Sequence, residues 1–198
     1  MSSRDKILTA VKNNQPNGYP LPPLISAHHQ TSDLVQKFIR TLGNIGGTAI
    51  EVSNWDEINL YLKEHFSNGK RWVNLIPELG NMTIASDFEK NPHLLENVSL
   101  SILKGHFAVA ENGAVWITDE CMGDRALPFI CEHLVLVIDA NNIFSTMHDA
   151  YDHIGTSDYN FGTFIAGPSK TADIEQSLVL GAHGPKSMTL FLMQEMRS

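Results

Sequence analysis

Apolar positions recur at three- and four-residue intervals in three stretches of the chain, and at alternating or continuous positions in several others. Ile7, Leu8 and Val11 share one side of a first helix that Ser2 or Ser3 can cap. Leu34, Val35, Phe38, Ile39 and Leu42 predict a helix over 31–42, closed by Gly43, Gly46 and Gly47. Ile58, Leu62 and Phe66 predict another over 55–66, with Ser53 or Asn54 as its cap. Short apolar runs read as strands: TAIEV, WVNLI, VSLSIL, FAVA, AVWIT, HLVLVID, TFIAG and SMTLFLM. HLVLVID (133–139) is almost wholly apolar, as a strand buried on both faces must be. Residues 141–154 read as a helix, and so does the segment between TFIAG and SMTLFLM.

Helices alternating with buried strands predict an α/β fold with a mostly parallel, twisted sheet flanked by helices. Pro16, Pro20, Pro22 and Pro23 break the pattern after the first helix. Residues 1–24 are therefore expected to form a helical annex on a proline-rich strap, and residues 25–198 the α/β domain.

Fourteen basic and 22 acidic side chains give a net charge of −8, with no basic stripe. Binding to a phosphate backbone needs clustered lysine and arginine, so nucleic acid is not an expected partner. The apolar runs fall well short of the ~20 residues of a membrane span. The N-terminus lacks the pattern of a secretion signal, and a cytoplasmic location is expected. The chain has two cysteines, Cys121 and Cys131, too few for an iron–sulfur cluster or a structural zinc held by its own thiolates.

Chemistry concentrates in two loops. The first is GPSKTADIEQSLVLGAHGP, residues 167–185. Read as strand, loop and helix, it puts Gly167, Ser169, Lys170 and Thr171 at a helix N-terminus, an anion cradle. The same residues fit plain helix capping, with Asp173 and Glu175 complementing the dipole of the first turn and opposing an anion. Gly181 reads as the helix C-cap, and His183 as a turn residue on the far side from the cradle. The second loop is Glu111-Asn112-Gly113, a hairpin turn between apolar runs. Glu111 and His183 are the candidate catalytic groups. Gly167, Ser169, Lys170, Thr171, Asp173, Gly113, Arg125 and His133 are the candidate ligand contacts. Glu111, His106, His133 and His183 share no metal-binding spacing, and no metal site is expected. Glycine-rich dinucleotide and triphosphate loops are absent from the sequence.

The 167–185 segment resembles the C-terminal signature of the lactate-utilization protein C family, the LUD-domain proteins. In that signature a Gly-Pro-Ser-Arg-Thr-Ala-Asp-Ile-Glu run leads to Gly-x-His-Gly-Pro. Lys170 stands where arginine is usual, which keeps the charge and loses the bidentate fork. AVAENGAVWI is similar to the family's Ala-Glu-Thr-Gly turn, with Asn112 in place of threonine. RALPFICEHLVLVID is similar to its Pro-x-x-His segment at Pro128 and, with shifted spacing, His133. The resemblance implies a fold like that of sugar-phosphate isomerases and CoA transferases. It implies a part in oxidising L-lactate to pyruvate beside partner proteins that carry the iron–sulfur clusters, with no cofactor on this chain. On this reading the chain is an accessory or substrate-binding component that holds a small carboxylate or other anion, and a homo-oligomer is compatible with it. The alternatives are a stand-alone enzyme or binding module for a phosphorylated or CoA-linked molecule, and an assembly protein without a ligand.

Overall fold

The structure, a computed structural model, describes residues 2–16, 18, 20, 31–66, 71–80, 92–172 and 178–194. Pro22, Pro23 and Asp173 lie outside the described residues. The elements in chain order are α1 (Ser3–Asn13), α2 (Thr31–Asn44), β1 (Thr48–Val52), α3 (Trp55–His65), β2 (Arg71–Asn74), β3 (Val98–Lys104), β4 (Phe107–Val109), β5 (Ala114–Thr118), α4 (Asp119–Met122), α5 (Leu127–Ile130), β6 (His133–Asp139), β7 (Ile143–Phe144), α6 (Met147–Ile154), β8 (Gly162–Ile165), β9 (Lys170–Ala172), β10 (Leu178–Leu180) and β11 (Ser187–Met193).

Five strands form one sheet in the order β1-β11-β6-β3-β2, and every neighbouring pair is parallel. Side chains alternate across β6. Leu134, Leu136 and Ile138 join the core with α2, while Val135 and Val137 join the core with Ile58 and Leu62 of α3. A second sheet, β7-β4-β5-β8, lies over the α2 side, with Ala108, Val115 and Ile117 in that core. Its other face carries Phe107, Val109 and Trp116 against Ala150 and Ile154 of α6. The order of layers is thus α3, parallel sheet, α2 with the second sheet, and α6.

Local signals place several ends as expected. Ser2 and Asp5 form a reciprocal cap on α1, and Asn54 accepts from the Glu57 N–H to start α3. α1 buries none of its residues, so Ile7, Leu8 and Val11 stand exposed.

Other expectations are corrected or refined. Residues 141–154 are not one helix: β7 pairs in parallel with β4, and only then does Thr146 cap α6 in a reciprocal box with Asp149. TFIAG, expected only as a strand, joins the second sheet, where β8 runs antiparallel to β5. The Glu111-Asn112-Gly113 hairpin turn, by contrast, stands as expected between β4 and β5: Val109 pairs with Ala114, and Gly113 takes a positive φ. The largest correction falls on the 167–185 segment. Its described parts form a hairpin, with β9 antiparallel to β10, and no helix N-terminus stands at Ser169. The physical reason is tertiary. The Ser169 N–H donates to the Pro185 carbonyl (2.8 Å) and the Gly181 N–H to the Ser169 carbonyl (3.1 Å). Those bonds hold the two arms together, and the threonine, valine and leucines in them suit strands. Ser169 and Thr171 are therefore not N-caps, and Gly181, at φ +76°, turns the chain out of a strand.

Candidate functional site

The hairpin carries its polar residues to the amino edge of the parallel sheet. Gly46 lies just before β1, Glu132 just before β6, and Pro185 and Lys186 just before β11. Thr171 Oγ1 stands 3.3 Å from His183 Nδ1, so His183 shares a corner with the hydroxyl residues and does not lie opposite them. Ser169 packs on Gly184, where an added Cβ would come within 3.0 Å of the Ser169 Cβ. Lys186 ion-pairs with Glu132 at 3.0 Å, and its N–H donates to the Glu132 carbonyl. A cleft of about 420 Å³ opens beside them, lined in part by Phe129, Cys131, Glu132, His183 and Lys186.

Lys170 reaches the other way. α2 ends without a basic residue in its last turn, and the Lys170 ammonium lies 3.6 Å from where a Cβ on Gly46 would stand. A cation there complements the negative end of α2. Gly167 and Gly113 converge on the same helix end. Both have φ +72°, and a Cβ would meet the Ile45 carbonyl oxygen at 3.0 Å and the Leu42 Cα at 3.1 Å respectively. Only glycine combines that backbone with that approach.

Of the remaining candidates, Glu111 and Arg125 sit elsewhere, and His133 opens β6 at the amino edge, next in sequence to Glu132. Glu111 Oε2 accepts from the Met147 N–H (2.8 Å) and so closes the first turn of α6. Arg125 pairs with Asp119 at 3.1 Å and lies over the Phe161 ring. His133 Nδ1 is 2.7 Å from Ser187 Oγ, with its ring against Phe66. Among the described residues no three His, Cys, Asp or Glu side chains group closely enough to hold a metal. No described helix is long and apolar enough to cross a membrane.

A second cluster lies at the other edge of the sheet. His106 follows β3 by two residues, and its Nε2 is 2.8 Å from Thr118 Oγ1 and 3.5 Å from Cys121 Sγ. Burial lowers the imidazole pKa below its ordinary 6.5, against the pull of Glu120. Burial also raises the Cys121 thiol, and pushes Cys131 up to about 11, so neither is a thiolate at neutral pH. The sequence points to His106 and to Cys121 as one of two thiols, but not to Thr118 or Glu120. Their meeting depends on tertiary structure: β4 lies antiparallel to β5 with Phe107 opposite Trp116, and from the end of that pair the His106 ring reaches Thr118.

These features define an α/β protein built on an open parallel sheet, with a glycine-hinged polar corner at its amino edge. The chain belongs to the LUD-domain family, whose model matches residues 33–193. Relatives named lactate utilization protein C include one from Bacillus pumilus, 28% identical over 54% of this chain and 47% of its own length. Another, from Geobacillus sp., is 29% identical over 56% of this chain and 48% of its own. The chain thus spans about half the length of the curated relatives it matches. A crystal structure of a DUF162 family protein from Deinococcus radiodurans superposes with a TM-score of 0.64 over 84% of this chain and 99% of that one. At 15% identity it shows the shared fold.

Proposed function

We propose that this protein serves lactate utilization, as a component that binds a small carboxylate at the 169–186 corner. The observation that carries the reading is the meeting of Thr171, His183 and Ser169 at one edge of the sheet, with Lys170 exposed at the end of the same strand. In this proposal Lys170 swings from the end of α2, where its ammonium rests, so that a carboxylate meets that ammonium and a hydroxyl donor, while the hydroxyl of a 2-hydroxy acid matches an imidazole nitrogen. Support comes also from the names of the family's relatives. With the helix N-terminus gone from this segment, attraction for an anion rests on side chains alone. In this proposal the chain works in the cytoplasm and carries no cofactor. Electrons leave lactate through partner proteins with iron–sulfur clusters. The test is calorimetric titration of the full chain with L-lactate and pyruvate, beside the Ser169→Ala/Lys170→Ala double variant. Saturable binding that the double variant loses supports the reading, and equal binding by both proteins ends it.

One observation favours a second reading. Gly113, Gly167 and Lys170 all close on the end of α2, as a brace would. If neither acid binds and the double variant only unfolds more readily, the signature is a brace, and the chain's role is assembly.

A further inference from the structure

Where α6 ends, the outer face of the second sheet is not fully covered. Phe107 and Trp116 form the floor of a cleft there, 3% and 7% exposed. Tyr159 stands at the mouth, 42% exposed, edge-on to Trp116 with centroids 5.4 Å apart. His106 and His153 flank it, and Glu120 and Asp158 complete the polar rim. The cleft holds about 210 Å³. Its floor is seated by a residue choice: a Cβ on Gly162 would fall 2.4 Å from the Trp116 ring, so glycine lets the indole lie against the backbone there.

The charge of this cleft is one-sided. Two carboxylates line it, and among the described residues lining it there is no lysine or arginine. Burial holds His106 toward its neutral form, so that imidazole does not offset the carboxylates. Aromatic faces attract cations through the ring quadrupole and give nothing of the kind to anions. The cleft also lies just past the carboxyl end of β3, the edge where open α/β sheets take their ligands. It is unsuited to a carboxylate substrate and suited to the opposite charge.

We propose that the Phe107–Trp116–Tyr159 cleft binds an organic cation, an alkylammonium or arylammonium group seated on the aromatic floor and faced by Glu120 and Asp158. The site is independent of the corner that holds Lys170. The occupant is a free small amine or a cationic side chain presented by another protein, and the chemistry recognised is the same.

The test uses the full chain and defined probes. Phenethylammonium, N-acetyl-lysine amide and the anion 3-phenylpropionate are titrated by calorimetry, with the Trp116 indole followed by NMR. The cations are expected to bind and shift Trp116, and 3-phenylpropionate is not. Glu120→Gln with Asp158→Asn should weaken cation binding about tenfold, and Tyr159→Ala severalfold. All three side chains are exposed, so these variants are expected to keep their fold, which circular dichroism checks. Tighter binding of phenethylammonium assigns the site to a small amine, and tighter binding of the lysine probe to a protein side chain. The proposal is overturned if no cation binds at millimolar concentration, if 3-phenylpropionate binds as well, or if the double variant binds the cations unchanged.

Discussion

The corner at the amino edge of the sheet and the cleft at its carboxyl edge are built by opposite means. The corner is a matter of backbone: Gly167 and Gly113 at positive φ, Gly184 beneath Ser169, and two chain crossings bonded through main-chain groups. Its exposed side chains include Lys170, His183 and Lys186. The cleft is a matter of side chains: a floor of Phe107 and Trp116 under a rim that includes Glu120 and Asp158. The first offers an ammonium to an anion, and the second offers rings and carboxylates to a cation. Sites of opposite preference on one small domain can be occupied together, and damage to one should spare the other.

The largest expected effect is on the cleft. Trp116→Ala removes a buried indole packed on Phe164 at 4.7 Å and should cost about 3–5 kcal/mol of stability in urea denaturation. A variant that keeps wild-type stability would show that the floor is not part of the core. Next is Gly167→Ala, which forces a side chain toward the Ile45 carbonyl at positive φ and should cost roughly 1–3 kcal/mol. It should weaken lactate binding and leave cation binding intact; loss of both would make the two regions one unit.

The smallest effect is a pH dependence. His106 has a folded pKa lowered below 6.5, so the unfolded chain takes up its proton first as pH falls. Its contribution to stability is fully present above about pH 6.5 and declines as the pH drops toward the lowered folded value. His106→Asn should flatten the stability profile in that acid window, measured by thermal melts from pH 5 to 8. An unchanged profile would mean that other groups set it.

The two regions also differ in how far the sequence reveals them. The alternation of helix and strand named the parallel sheet, because HLVLVID and SMTLFLM can only be buried strands. The signature residues drew notice in the corner, yet their local structure was misread. Glycine, serine, threonine and acids are the vocabulary of helix caps, and nothing local reveals that Pro185 and Gly181 supply the bonds that make a hairpin. The place of β8 is not legible for a similar reason, since a short apolar run does not say which of two sheets it joins. The cleft was harder still. Trp116, Glu120 and Tyr159 are spread over 44 positions and meet only when the hairpin register and the end of α6 are known.

The most direct test of the account is titration of the full chain with L-lactate by calorimetry, wild type against Ser169→Ala/Lys170→Ala. Saturable binding weakened at least about tenfold in the variant, a loss of roughly 1.4 kcal/mol, is the predicted result. Binding that is equal in the two proteins, or absent from the folded wild type at millimolar lactate, would contradict it.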